Sequence, residues 1–429
     1  MGVSPSPEFG PETVEAALSR IADAHPREMD PGLDRLRAVA HRARLAHIDV
    51  PLAIVAGTNG KGSTVVCLEA IWQAAGQRTG AFLSPHLIRF NERIRISGQD
   101  VDDRAILAAI ARIEPHIAPD TLTYFELAAL VAVACFLDAG CTAIVLEVGL
   151  GGRLDATNLW DADGAILTSV ALDHADWLGT DLDVIATEKA AVARPGSMLV
   201  VGEQRPPCSL GSWAAANRVR LVGIDQVLDT LVAPRHLPGE HHRRNAACAA
   251  VLAHELEALV KVSEQNILTG LERATLPGRL QALSVEGIDV VVDVAHNPAA
   301  AAAIVTALDN ERMHLVFASL GDKDIGGIAH ALMPAAASLA CAGLDSDRAV
   351  SASALLATMR GALPEGVHVP CEAHESVEAA WRAAALRARA DGLRVLIVGS
   401  HVTVGNWFAA RGNLGTRPTA ASVAGPDPQ

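Results

Sequence analysis

Short, almost wholly apolar runs alternate along the chain with longer stretches in which apolar residues recur every three to four positions. The runs at Leu52–Ala56, 79–83, 142–147, 165–170 and 198–202 predict β-strands. Helical periodicity covers an amphipathic segment around 14–24, then 64–75 and the helix-rich stretch 243–275. Strand and helix taking turns in this way imply a mostly parallel, doubly wound sheet. The dipeptide Pro277-Gly278 interrupts the pattern within L-P-G-R (276–279) and predicts a hinge. The alternation then restarts, with strands expected at 289–294, 314–319, 338–342 and 394–398, and a smaller Rossmann-like domain is the simplest account. The predicted organisation is a first α/β domain over 1–278, a second α/β domain over 279–410 and a disordered Gly/Pro/Thr/Ala-rich tail over 411–429. No internal repeat of fixed period is visible.

Candidate chemistry sits where the predicted strands end. After Leu52–Ala56 comes G-T-N-G-K-G-S (57–63) and then a helix, so several N–H groups, the helix N-terminus and Lys61 can converge on one anion. The loop departs from the usual phosphate-loop pattern, because Val55 and Gly62 stand where a glycine and a hydroxyl residue are customary. A second run, I-V-L-E-V-G-L-G-G-R-L-D-A-T-N (144–158), ends a buried strand in Glu147 and continues into a glycine-rich polar loop. A third leaves its strand as T-S-V and carries L-D-H-A-D-W-L-G (172–179), then a helix bearing Lys189. Ligands of open parallel sheets lie outside the carboxyl ends of the strands, so Lys61, Ser84, Glu147 and His174 are expected on one rim. That is the geometry of a nucleotide and metal site.

Composition narrows the class. A chain of 429 residues exceeds one ordinary core, and half of it is hydrophobic with a fifth charged, which leaves ample burial. A net charge of -14 argues against nucleic acid as a general partner, although Arg89, Arg93, Arg95 and the basic stretch 235–244 can hold small anions or simply face solvent. Seven cysteines without a C-x-x-C pair indicate neither a disulfide framework nor a zinc knuckle. No apolar run approaches membrane-spanning length and the start lacks a basic and apolar leader, so a cytoplasmic protein is expected. The first six residues, M-G-V-S-P-S, formally fit an acylation pattern, which the prolines read as coincidental.

The quoted loops, with S-P-H-L-I-R-F-N-E-R-I (84–94), T-Y-F-E (123–126), E-K-A (188–190), D-V-A-H-N-P (293–298) and D-K-D-I (322–325), resemble the bacterial dihydrofolate synthase/folylpolyglutamate synthases, relatives of the Mur peptide ligases. They fall in family order from about residue 29 to 404. The resemblance implies that ATP phosphates are held by Lys61 and the amides of Thr58, Asn59, Gly60, Gly62 and Ser63, with Asn245, Arg279, Asp293 and His296 also on the nucleotide. It implies Ser84, Glu147 and His174 as ligands of Mg2+, two ions in all, with a carbamylated Lys189 helping to bind the second. By residue type alone His174 is an unexpected partner for a hard cation, and Lys189 is only a helical lysine beside Glu188, compatible with a surface ion pair. Glu28, Met29, Asp30 and Pro31, Thr123, Tyr124, Phe125 and Glu126, and Leu154, Asp155 and Ala156 align with the family's dihydropteroate pocket. Pro31 departs from the aliphatic residue more usual there. Tyr124, the only tyrosine, and Phe125 suit stacking on a flat heterocycle or packing of a helix start.

The activity implied is ATP-dependent attachment of L-glutamate to 7,8-dihydropteroate and to the tail of reduced folates through an acyl phosphate, with Lys61, Lys189 and Arg279 carrying the chemistry; folylpolyglutamate synthesis alone is the alternative. A Mur ligase acting on a nucleotide-linked sugar would need a domain before the phosphate loop, and only 56 residues precede Gly57, which counts against it. A phosphate-loop switch that ligates nothing is the remaining class. No Ser-His-Asp or Cys-His pairing that would imply a covalent intermediate is visible. With no long hydrophobic seam in evidence, a monomer is expected.

Overall fold

The computed structural model describes residues 12–28, 30–363 and 368–412. Met29, the first six residues and the tail from 413 onward lie outside the described residues.

Eight strands build the first sheet: β1 (Leu52–Ala56), β2 (Thr79–Phe82), β3 (Ile94–Ile96), β4 (Gln99–Asp100), β5 (Ala143–Glu147), β6 (Gly164–Leu167), β7 (Met198–Val201) and β8 (Arg220–Gly223), in the order β4-β3-β2-β5-β1-β6-β7-β8. From β2 to β8 across the sheet the pairs are parallel, while β3 and β4 return antiparallel at one edge. Six strands form the second sheet: β9 (Gln281–Val285), β10 (Ile288–Val292), β11 (Met313–Phe317), β12 (Ala336–Ala342), β13 (Cys371–His374) and β14 (Val395–Val398), ordered β13-β12-β11-β14-β10-β9 with only β9 antiparallel. Two α/β units, each with helices on both faces, are therefore present, as the alternation predicts.

The five strands without an apolar run, β3, β4, β8, β9 and β13, are the ones the hydrophobic pattern misses. Each lies at or next to a sheet edge, where burial on one side at most removes the need for continuous Val, Ile and Leu. β6 is shorter than expected because Thr168 and Ser169 leave the ladder to bind the loop after β1.

The helix that follows the phosphate loop, Lys61–Ala74, is buried on nearly every side, wedged beneath the helices Glu240–Glu255 and Glu264–Arg273. Its fit against the latter is backbone to backbone: a Cβ on Gly270 would lie 2.5 Å from Ile71 Cα. The second unit presses on the first just as closely, because a Cβ on Gly405, in the helix His401–Ala409, would lie 2.1 Å from the Leu87 carbonyl oxygen. Gly270→Ala is expected to destabilise the first unit by about 1–3 kcal/mol through overpacking, read by urea unfolding. A loss below about 0.5 kcal/mol would mean that the two helices have room to separate.

Candidate active site

Two glycines shape the loop after β1. Gly57, at φ 147°, has no room for a Cβ, which would fall 1.9 Å from Thr168 Oγ1, and Gly60, at φ 84°, meets Asn245 Oδ1 at 2.4 Å in the same sense. The loop is stitched to the chain leaving β6, since Thr58 N donates to Ser169 O at 2.8 Å and Asn59 N to Ser169 Oγ at 2.9 Å. This corrects the expectation that amides from Thr58 onward face an anion. Thr58 and Asn59 hold the loop in place, and the donors left without an intrahelical acceptor begin in the first helical turn, at Lys61, Gly62 and Ser63. Ser63 Oγ is buried and has no hydrogen-bond partner, an orphan that a ligand oxygen or ion would satisfy. Lys61 curls over its own loop, Nζ donating to Gly57 O at 3.0 Å and Thr58 O at 3.1 Å. Burial lowers its ammonium pKa against the pull of Glu147 and Asp173.

Glu147 closes β5 and is buried, its Oε2 accepting from Ser84 N at 2.9 Å. Gly62 gives the carboxylate space at the helix N-terminus, because a Cβ there would lie 3.4 Å from Oε2. Burial raises the Glu147 pKa while Lys61 opposes the rise. His174 stands at φ 51°, and burial brings its imidazole down to about 4 despite Asp173, so it offers a lone pair at neutral pH. Ser84, Glu147 and His174 line one cleft of about 1180 Å³ with Lys61, as the rim argument requires. Among the described residues no three His, Cys, Asp or Glu converge into a cage. One buried carboxylate beside open phosphate donors is instead how magnesium is usually held, the substrate supplying the other oxygens. These residues fit such an ion.

Lys189 is no surface lysine. It is 4% exposed, its Nζ lies 3.4 Å from Gly57 O, and Glu188 pairs instead with Arg153 at 2.9 Å. Burial, with Lys61 adding to it, brings the Lys189 amine down to about 7.

The second unit closes the cleft. Asp173, beside His174, accepts from Lys323 Nζ at 2.8 Å and Asn297 Nδ2 at 3.2 Å, and His296 Nε2 lies 3.3 Å away. Asn59 and Asn297 exchange side-chain hydrogen bonds at 2.8 and 3.1 Å. Asp293, 5% exposed, accepts from Leu280 N and Ala295 N, both at 2.8 Å, so each of its oxygens already has a backbone donor. Arg279 faces the cleft from the hinge, donating to His401 at 3.3 Å, with Asn245 across from it on the first unit.

The segments matched to the pterin pocket line the same cleft. Thr123 and Glu126 form a capping box, and Glu126 also pairs with Arg35 at 3.1 Å, which in turn holds Asp30 at 2.8 Å. Tyr124 meets Phe90 edge-on at 6.1 Å and Arg93 over its face at 5.7 Å, and Phe125 tilts against Phe82 at 5.7 Å, so both rings pack in the core and border the cleft together. Asp155 accepts from the amides of Gly149 and Leu150, both at 3.0 Å, and from Thr157, so it organises its loop between Leu154 and Ala156. Glu28 lies 3.8 Å from Arg348, and Pro31 lines the wall; Met29 is outside the described residues.

Residue reading missed Asp173, Lys323, Arg35 and His401 as site members. Asp173 and Lys323 stand within quoted motifs, and His401 follows β14 at its carboxyl end, where the rule that found Lys61 and Glu147 applies equally. A second cavity of about 1280 Å³ opens beside the first and shares Gly62, Ser84, Pro85, Glu147, Arg279 and His401 with it.

Two α/β units pinching a cleft between a phosphate loop and a half-buried arginine are built to draw on a nucleoside triphosphate while joining two substrates: the molecule is an ATP-dependent ligase. Residues 278–401 match the family described as Mur ligase, glutamate ligase domain. The dihydrofolate synthase/folylpolyglutamate synthase of Escherichia coli is 37% identical over 403 residues, 90% of this chain and 93% of the relative. That of Haemophilus influenzae is 34% identical, over 91% and 96%. Among solved structures, E. coli FolC in complex with DHPP and ADP superposes with a TM-score of 0.84 at 35% identity, covering 94% of this chain and 98% of that one. The Yersinia pestis enzyme complexed with AMPPNP and Mn ion gives 0.83 at 36%, over 94% and 98%. The chain belongs to the bifunctional dihydrofolate synthase/folylpolyglutamate synthase family.

Asp173 and Lys323 are each 8% exposed, so Lys323→Met strands a buried carboxylate and is expected to cost about 3–5 kcal/mol in denaturant unfolding. Burial opposes ionisation of Asp173, yet His296 and Lys323 hold its carboxyl well below the ordinary 3.8. A depressed carboxyl contributes stability above its unfolded pKa and loses it as pH falls, so acid unfolding should sharpen below about pH 4 in the native chain and flatten in Lys323→Met. An equal acid response in both would remove Asp173 from the account.

Proposed function

We propose that this chain adds L-glutamate to 7,8-dihydropteroate and to the glutamate tail of reduced folates, transferring the γ-phosphate of ATP to the acceptor carboxylate first. Amide formation in water from a carboxylate and an amine is uphill, and an acyl phosphate supplies the leaving group. What carries the reading is family membership across nine-tenths of the chain, together with one cleft that gathers Lys61, Glu147, Lys189 and Arg279.

The residues divide the work by position. Lys61 and the first-turn amides of Gly62 and Ser63 hold the triphosphate, Gly60 and Asn245 border it, and Thr58 and Asn59 fix the loop. Asp293, His296 and Arg279 meet the nucleotide from the second unit, Arg279 facing the transferred phosphoryl group. Positioning and charge neutralisation are the catalytic contribution. Ser84, Glu147 and His174 hold Mg2+, and a carbamylated Lys189 helps to hold a second ion; when bound, these ions neutralise phosphate oxygens. The carboxylate substrate occupies the end bounded by Glu28 to Pro31, Thr123 to Glu126 and Leu154 to Ala156. We divide the chain at 278/279 and take it to act as a cytoplasmic monomer; no helix among the described residues is long and apolar enough to cross a membrane, and Arg411, expected in the tail, instead packs over Trp381 and Trp407 and pairs with Glu378 at 2.8 Å.

ADP release is expected only when ATP, Mg2+, L-glutamate and either 7,8-dihydropteroate or tetrahydrofolate are all present. Turnover with tetrahydrofolate alone would reduce the activity to folylpolyglutamate synthesis, and release independent of glutamate would end the ligase assignment. Lys189 should respond to carbon dioxide. Only its neutral amine reacts, and with a pKa of about 7 that form rises from about a tenth at pH 6 to about nine-tenths at pH 8. Enzyme stripped of carbon dioxide is expected to lose activity and to recover it with bicarbonate, faster at pH 8 than at pH 6. Indifference to bicarbonate would remove the carbamate.

A further inference from the structure

Arg279 is held in an unusual way for a half-buried guanidinium. Its hydrogen bonds go to Gly278 O at 3.3 Å and to His401 Nε2 at 3.3 Å, and no carboxylate among the described residues stands within ion-pair distance. Arginine has five donors and no acceptor, so His401 Nε2 must accept and its proton must sit on Nδ1. The imidazole is consequently neutral. Its surroundings enforce that state: burial together with Arg279, His296, Arg93 and Lys61 keeps His401 well below its usual pKa. Position adds to the argument. His401 opens the helix His401–Ala409 directly after β14, behind the cap Ser400, and it is one of the few residues that line both cavities. The same helix is seated on the first unit through Gly405 against Leu87, so its N-terminus is fixed relative to Ser84 and Glu147.

We infer that His401 is the positioning residue for Arg279, a neutral acceptor that aims the guanidinium at the junction of the two cavities without cancelling its charge. A carboxylate in the same place would orient Arg279 equally well and neutralise it. The difference matters only if Arg279 has charge to stabilise elsewhere, so the inference rests on the proposed role of Arg279 toward the transferring phosphoryl group. Glu147 and Asp293 contribute at longer range, through space rather than by hydrogen bonds.

The test is a double-mutant cycle on the full chain, with steady-state ADP release and nucleotide binding measured for each variant. His401→Ala is expected to lower kcat about 10- to 100-fold with KM for ATP changed less than about threefold. His401→Gln, which presents an amide oxygen near the place of Nε2, should recover most of kcat. His401→Glu should fall at least as low as His401→Ala. In an Arg279→Ala background, removing His401 should cost less than about twofold, because a residue acting through Arg279 has nothing left to act on. Equal losses in both backgrounds, or a Gln variant no better than Ala, would overturn the inference. If Arg279→Ala itself left kcat unchanged, the proposed role of Arg279 would fail, a result distinct from failure of His401 alone. Should His401→Ala not fold, the Gln and Glu pair still separates the outcomes, since both keep a side chain in the site and differ in charge.

Discussion

The cleft is organised around positive charge that is drawn out of bulk water and left without a carboxylate of the described residues at hydrogen-bond distance. Lys61, Lys189 and Arg279 all face it, and burial lowers the pKa of each. Glu147 is the carboxylate set closest to the loop, and its own pKa is raised by the same desolvation. Taking ions out of water is costly, and among the described residues Lys61 and Arg279 hydrogen-bond to carbonyls and an imidazole rather than to a carboxylate, which leaves them short of directly paired negative charge. A polyphosphate reverses the deficit on arrival. Interactions of this kind gain most in a site already dehydrated and fixed, where no solvent has to be reorganised during phosphoryl transfer.

Such a site needs a rigid frame, and the frame is assembled from backbone groups. Thr58 and Asn59 use their amides on Ser169, so the phosphate loop and the strand end that leads to Asp173 and His174 move as one body. Asp173 then takes Lys323 and Asn297 from the second unit, and Asn59 takes Asn297 as well. The contact that closes the two units therefore sits one residue from His174 and on the loop that carries Lys61. Closure and phosphate binding share one loop, which couples them without any long path through the protein.

The parallel strands that position the site were legible because they are buried on both faces and must be continuously apolar: β1, β5, β6 and β7 fall where the runs are. The same logic hides β9 and β13, whose edge positions let polar residues into the ladder. Lys61 and Glu147 were legible as strand-end residues beside glycines. Lys189 was not. A lysine followed by alanines on a helix looks like surface until Gly152 is seen to bring its loop against the carbonyls of Glu188 and Lys189, where a Cβ would fall 2.8 Å from each. Arg35 was hidden for a related reason, since its partners Asp30 and Glu126 lie far apart along the chain and only the fold brings them together.

Residue type without access carries no chemistry, and this protein contains its own demonstration. Reading the sequence reveals no Ser-His-Asp pairing, yet the fold makes one: His314 Nδ1 lies 2.8 Å from Ser338 Oγ, and Nε2 lies 3.1 Å from Asp391 Oδ1. Spacing matches that of a nucleophile, base and orienting acid. But Ser338 is 3% exposed, paired with His314 across β11 and β12 near the amino ends of those strands, and it borders neither cavity. Shut away from both cavities, the three residues serve to satisfy a buried imidazole. Lys189, buried, and His401, half-buried, are likewise unprotonated or easily made so, and they differ from His314 in one respect: each opens onto the space where strands of a parallel sheet end. Access to that space, more than the identity of the side chain, separates the functional groups of this fold from those that only hold it together.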